Sequence, residues 1–197
     1  MQGTARDVAQ LSQRIVCYCR DCQCFAWFLE RPELLDVHGG SEVLQLNPTR
    51  VSFHAGHEHL ACMRLSPKGV MRWYASCCNT PIGNTLDKPK PPFVGLLSSC
   101  WDPELDAAAR DRLIGPRRAY INGPGHAAPD GSMAKVDKLP LKAIFGALRL
   151  ILGSTLRGEI QPSPFFEPDG TPRATPRVLE LAEREALQAK LDTAAAP

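Results

Sequence analysis

The sequence predicts a mainly β protein, an antiparallel sheet domain with an added C-terminal helical extension. Three observations lead there. Short apolar runs recur between turn signals over residues 24–97. Beyond residue 100 the pattern changes to helical periodicity and proline-rich chain. The chain also carries eight cysteines, four of them within residues 17–24, a density that points to a metal knuckle inside the β part.

The elements follow in order. CFAWFL (residues 24–29) is a short apolar, aromatic run and reads as a strand. His38-Gly39-Gly40 marks a turn, and EVLQL (residues 42–46) alternates with period two. After the turn signal Asn47-Pro48, RVSFH (residues 50–54), HLACMRL (residues 59–65) and VMRWYA (residues 70–75) read as strands. The last two are joined by Ser66-Pro67-Lys68-Gly69, a hairpin loop. Asn79-Thr80-Pro81 reads as a turn in which asparagine tolerates the left-handed conformation. DKPKPP (residues 87–92) is a loop, and FVGLL (residues 93–97) a further strand.

The second half is punctuated differently. Asp102 is placed to cap a helix, Pro103 suits its first position, and Gly115-Pro116 stops it. A second helix is expected over residues 140–153. There Leu141, Ile144, Phe145, Leu148, Ile151 and Leu152 share one arc, with Lys142 and Arg149 outside it. That arc is expected to pack on the sheet. Residues 161–177 hold five prolines and read as an extended strap anchored by Phe165 and Phe166. Residues 178–191 are strong helix formers without a shared leucine face, which predicts a peripheral helix. The reading thus divides the chain into a β domain (residues 1–125) and an extension packed on it (residues 126–197).

Composition excludes several functions. Of 197 residues, 44% are hydrophobic and 22% charged, and the net charge is only +2 with both signs interspersed, so no basic footprint for nucleic acid exists. The longest apolar stretch, residues 139–153, is interrupted by Lys142 and Arg149 and is too short for a membrane span. The start, MQGTARDVAQLSQR, lacks the apolar core of a signal peptide. The expectation is a cytoplasmic protein whose thiols stay reduced, where clustered cysteines serve metals or catalysis rather than disulfides.

The cluster CYCRDCQC places thiols at Cys17, Cys19, Cys22 and Cys24. A C-x-x-C step turns two sulfurs inward on a tight bend, and a C-x-C step adds a third from the adjoining extended chain. Cys17, Cys19 and Cys22 can therefore wrap one Zn2+, which takes thiolates in a tetrahedron. Cys24, in the expected strand, points elsewhere. Three protein ligands leave a fourth corner for another residue, water or substrate, and an open corner is the arrangement of catalytic zinc. Cys77 and Cys78 are adjacent and cannot readily serve one metal together; either alone could reach the zinc, but buried thiols are the favoured reading, as for Cys62 and Cys100. His54, His57 and His59 read as a solvated turn rather than a second metal site. Arg64 and Arg72, on adjacent strands, read as surface charges, with contact to a substrate carboxylate as the other possibility.

CYCRDCQCFAWF, VMRWYASCCNTPIGN and WDPEL together resemble the glutathione-dependent formaldehyde-activating enzyme family, also called centromere protein V-like. The resemblance covers about residues 1–125 and implies an Mss4-like zinc-binding β fold. The family's C-H-C-x-x-C motif matches Cys17, Cys19 and Cys22, with Tyr18 in place of histidine, and implies the catalytic zinc site there. The family's second, structural zinc is implied to be lost. Its ligand positions fall at Ala5, Asp7, Ala75 and Cys78, so one thiol of four is retained. The implied activity is that of a carbon–sulfur lyase acting on adducts of a small thiol such as glutathione with an aldehyde. A non-catalytic, zinc-stabilised protein-interaction module is the alternative, because fold does not fix function.

Overall fold

A computed structural model describes residues 1–8, 12–102, 104–121 and 141–194. The protein is mainly β. Its elements in chain order are β1 (Gln2–Ala5), β2 (Gln13–Cys17), α1 (Arg20–Phe28), β3 (Ser41–Leu46), β4 (Val51–Ala55), β5 (Leu60–Arg64), β6 (Met71–Ala75) and β7 (Thr80–Thr85). They continue with β8 (Val94–Leu97), α2 (Ala107–Ile114), β9 (Ala119–Ile121), α3 (Leu141–Leu156), β10 (Arg177–Val178) and α4 (Leu181–Ala194). Eight strands form one sheet in the order β10-β5-β6-β7-β8-β3-β2-β9, and β1 pairs with β4 in a two-stranded sheet. The large sheet is antiparallel throughout its middle. Only the two short border pairings, β9 on β2 and β10 on β5, are parallel, which makes it a mixed sheet rather than the purely antiparallel one expected.

The strand period of two sorts the core into two layers. On β6, Met71, Trp73 and Ala75 enter one cluster together with Cys62, Leu44, Leu46 and Leu96 of neighbouring strands. Arg72 and Tyr74 point to the opposite face, where Met63 and Val43 lie and α1 packs. The first layer is closed by the strap. Phe165 and Phe166 are fully buried, with the Phe165 ring 5.2 Å from Trp73 and 5.6 Å from Phe53. The second layer is closed by α1, with α4 laid along it through the buried Leu187 and Leu191.

Four sequence expectations need correction. CFAWFL is helical, not a strand, because the buried positions Cys22, Phe25, Ala26 and Leu29 recur at helical spacing. The apolar run alone hid that period, which begins two residues before it. The Thr80-Pro81 segment, expected as a turn, opens β7; the turn itself is shorter and contains Asn79 at φ +51°. The α2 cap is Asp106, whose carboxylate accepts the Ala109 N–H, and not Asp102, which closes a preceding turn by accepting the Glu104 N–H. Pro103 and the boundary at residues 125–126 lie outside the described residues.

The fourth correction concerns α3. This helix meets β2 through Ala143 and Gly146, where the Gln13 amide donates to the Ala143 carbonyl. Ser154 is buried about two turns further on. Small residues allow this close approach. The larger side chains Leu141, Phe145, Leu148 and Leu152, expected to pack, are 54–71% exposed instead. Among the described residues, no helix is long and apolar enough to cross a membrane.

Candidate metal centre

The cysteine knuckle is built where β2 hands over to α1. Cys17 is the last residue of β2, locked between Ser41 of β3 and Ile121 of β9. Tyr18 continues the extended chain, its N–H bonded to the Ile121 carbonyl. Its ring is buried, and its hydroxyl donates to the Asp36 carboxylate at 3.0 Å. Cys19 then caps α1, its sulfur accepting the Cys22 N–H at 3.4 Å. Cys22 lies in the first turn. A thiol cap is unusual, since oxygen side chains are the common choice, and it turns the sulfur back over the helix N-terminus.

Cys17, Cys19 and Cys22 are thereby gathered with all sulfurs within 4.8 Å of one another, and the Cys17 and Cys19 sulfurs are 3.4 Å apart. Sulfurs bound to one tetrahedral zinc at about 2.3 Å each sit a little under 4 Å apart, so the donor set fits a soft metal without rearrangement of the backbone. Among the described residues, no fourth Cys, His, Asp or Glu joins this group. Cys17 and Cys22 are buried and Cys19 is half-buried.

The electrostatics favour anionic sulfur. Hydrogen bonds with Cys17 and Cys19 lower the Cys22 thiol well below its usual range against the cost of burial, and the Arg72 guanidinium adds to the effect. Arg72 Nη1 lies 3.9 Å from the Cys22 sulfur, bonds Asn84 at 3.3 Å, and its guanidinium stands 5.5 Å over the Phe25 ring. The N-terminus of α1 adds its own partial positive charge. Hydrogen bonding with Cys19 lowers Cys17, but its bond to Cys22 and burial outweigh this and push it up to about 11. Cys19 is raised by its bonds to Cys17 and Cys22 and by burial.

The other sequence candidates lie apart. Cys24 is buried on α1 outside the cluster, and Cys62 is buried in the strap-side layer. Cys77 and Cys78, expected as buried, are both exposed, because the tight turn between β6 and β7 lifts them off the sheet. Cys100 is exposed as a residue, yet its thiol turns inward to the Leu97 carbonyl, and burial pushes that thiol up to about 12. His54 meets Thr4, His57 stacks near Phe53 and His59 faces Glu58, so the three histidines are dispersed. Arg64 bonds the Gly69 carbonyl. Arg72 is not a surface charge: only 3% of it is exposed. Sequence reasoning missed its role because register, not composition, sets Arg72 opposite Met63 and Asn84 beneath α1.

Fold and site together define a mixed-sheet β protein with a three-thiol, metal-competent knuckle at a strand–helix junction. Residues 3–175 match the profile of a family of unknown function, DUF6151, and the chain belongs to that family. No curated protein and no solved structure matches it.

Proposed function

We propose that the protein holds one zinc ion on Cys17, Cys19 and Cys22 and acts as a carbon–sulfur lyase on adducts of a small, glutathione-like thiol with an aldehyde. The observation that carries this reading is a preassembled set of three thiols with no fourth protein donor among the described residues. When bound, zinc supplies a position at which a small thiol loses its proton close to a carbonyl carbon. Addition of that thiol forms one C–S bond, opens the C=O π bond and places a proton on the oxygen; cleavage is the reverse.

The chain's own residues have definite tasks in this scheme. The three cysteines hold the metal and make it a soft centre of net charge −1. Arg72 offsets that charge beneath the helix. Tyr18, tied to Asp36, fixes the chain between two ligands. A second line of support comes from the resemblance. Three of the four positions at which it places a structural zinc, Ala5, Ala75 and Cys78, line a single cleft of about 370 Å3. The fourth, Asp7, is turned to Arg50.

The alternative, a non-catalytic zinc-stabilised interaction module, draws on the deep burial of Cys17 and Cys22, which leaves approach mainly from the Cys19 side. One experiment separates the two. Cobalt-substituted protein is titrated with small thiols, and the sulfur-to-metal charge-transfer band is followed; the same thiols with formaldehyde and other aldehydes are followed by NMR. A band shift with proton release and catalysed exchange supports the enzyme. An unchanged band with every thiol supports the module.

A further inference from the structure

At the other end of β2 from the knuckle, where α3 lies against Gln13, four arginines from different segments converge on one cleft. Arg50 comes from the turn before β4, Arg118 from the approach to β9, Arg149 from α3, and Arg157 from just beyond it. The cleft measures about 270 Å3, and one carboxylate, Glu159, lines it against four guanidinium groups. Glu159 is already shared, by Arg157 through two bonds of 2.9 and 3.1 Å and by Arg50 at 3.4 Å. Arg50 also pairs with Asp7. Arg118 and Arg149 have no carboxylate partner among the described residues.

A second observation is independent of the charge. Ser154, on the inner side of α3, is only 2% exposed and lines the same cleft. Like charges brought together cost free energy unless an anion offsets them. Planar guanidinium forks with a buried hydroxyl match the tetrahedral oxygens of a phosphoryl group. The volume lies just below that of ordinary drug-sized pockets, so it suits a phosphate group or a headgroup rather than a whole dinucleotide.

We propose that this cleft is a phosphoryl-binding site, in which Arg118, Arg149 and the Ser154 hydroxyl grip the anion and Arg50 and Arg157 supply the surrounding positive field. The phosphoryl group can be free in solution or carried on a lipid. The second source has its own structural mark: Leu141, Phe145, Leu148 and Leu152 stand exposed on α3, whose only charged residues are Lys142 and Arg149.

The test is calorimetric titration of the full chain with pyrophosphate, alongside co-sedimentation with vesicles of phosphatidylcholine alone and of phosphatidylcholine mixed with phosphatidic acid. Wild type is compared with the double variant R118Q/R149Q, with S154A, and with L148E/L152E. Thermal unfolding confirms that each variant is folded. The expected result is salt-sensitive pyrophosphate binding, weakened by at least about tenfold in R118Q/R149Q, as loss of charge-assisted hydrogen bonds implies, and weakened less in S154A. Vesicle binding that needs phosphatidic acid, and is lost in both the arginine and the leucine variants, identifies a lipid headgroup as the source. Pyrophosphate binding with no vesicle binding identifies a soluble phosphate. Absence of binding to both probes overturns the proposal. So does binding that folded R118Q/R149Q retains in full.

Discussion

Replacing Arg72 by methionine is expected to weaken metal binding far more than it weakens the fold. The guanidinium is buried, and its nearest nitrogen is 3.9 Å from the Cys22 sulfur. Two full charges at that separation attract by about 4 kcal/mol at an effective dielectric constant of 20. The single net negative charge of a three-thiolate zinc centre is spread over its sulfurs, which reduces the attraction to about half, or 2 kcal/mol. The loss of affinity should therefore lie between about 30-fold and 1000-fold. Competition against a chromophoric chelator measures it directly. Methionine has the length to fill the space over Phe25, so the metal-free variant should unfold close to the metal-free parent. Arg72→Lys should keep part of the affinity, because the charge survives while the planar fork is lost. An affinity within about threefold of wild type, less than 1 kcal/mol, would show that Arg72 does not balance the centre.

Three further outcomes are expected. Purified protein should carry one equivalent of zinc by elemental analysis, and Cys19→Ser should lose it, since serine is a poor, harder ligand and Cys19 also caps α1; two tightly bound equivalents would contradict the single-site reading. Phe165→Ala should cost about 3–5 kcal/mol, the usual range for a large aromatic removed from a packed core, and lower the melting temperature by about 6–20 °C for a chain of this size. A drop of only a degree or two would mean that the strap is a loose appendage. Acid should weaken the protein through Glu42. Burial raises that carboxyl, but Arg117 and Arg14 outweigh it and hold it below its usual range. A depressed folded-state value means that the stabilisation is complete above the unfolded carboxylate range, near pH 4.3, and is lost as pH falls through the folded value. Urea midpoints of Glu42→Gln should accordingly be lower at neutral pH and fall less steeply on acidification than those of the parent.

The strands that were legible in the sequence are those with one clear rhythm. EVLQL, RVSFH, HLACMRL, VMRWYA and FVGLL are strands within a residue or so of their expected limits. Strand β2 was missed because QRIVC is buried on both faces and does not alternate. β9 and β10 were missed because three and two residues carry no period at all. The helix inside the cysteine cluster was masked by its own aromatic content, although the spacing from Cys22 to Leu29 contains it. The three ligand positions were visible because local spacing alone brings them together. Arg72 was not, because its neighbours across the sheet come from three distant stretches of chain. The α3 helix shows a different limit. Its sequence names an apolar arc, yet contact is made by the small residues beside it, since close approach to β2 needs a surface without bulk.

The two parallel border pairings set the order in which the protein can be completed during synthesis. β5 and β2 leave the ribosome early, but the strands that cover their free edges are residues 177–178 and 119–121. Until those segments emerge, both borders of the growing sheet present bare N–H and C=O groups, the template for joining a neighbouring chain. A translation product cut short before residue 177 keeps its β5 edge open however well its interior has formed. The last turn of the strap is therefore a seal, and crowded polysomes are where its absence would first be felt as aggregation.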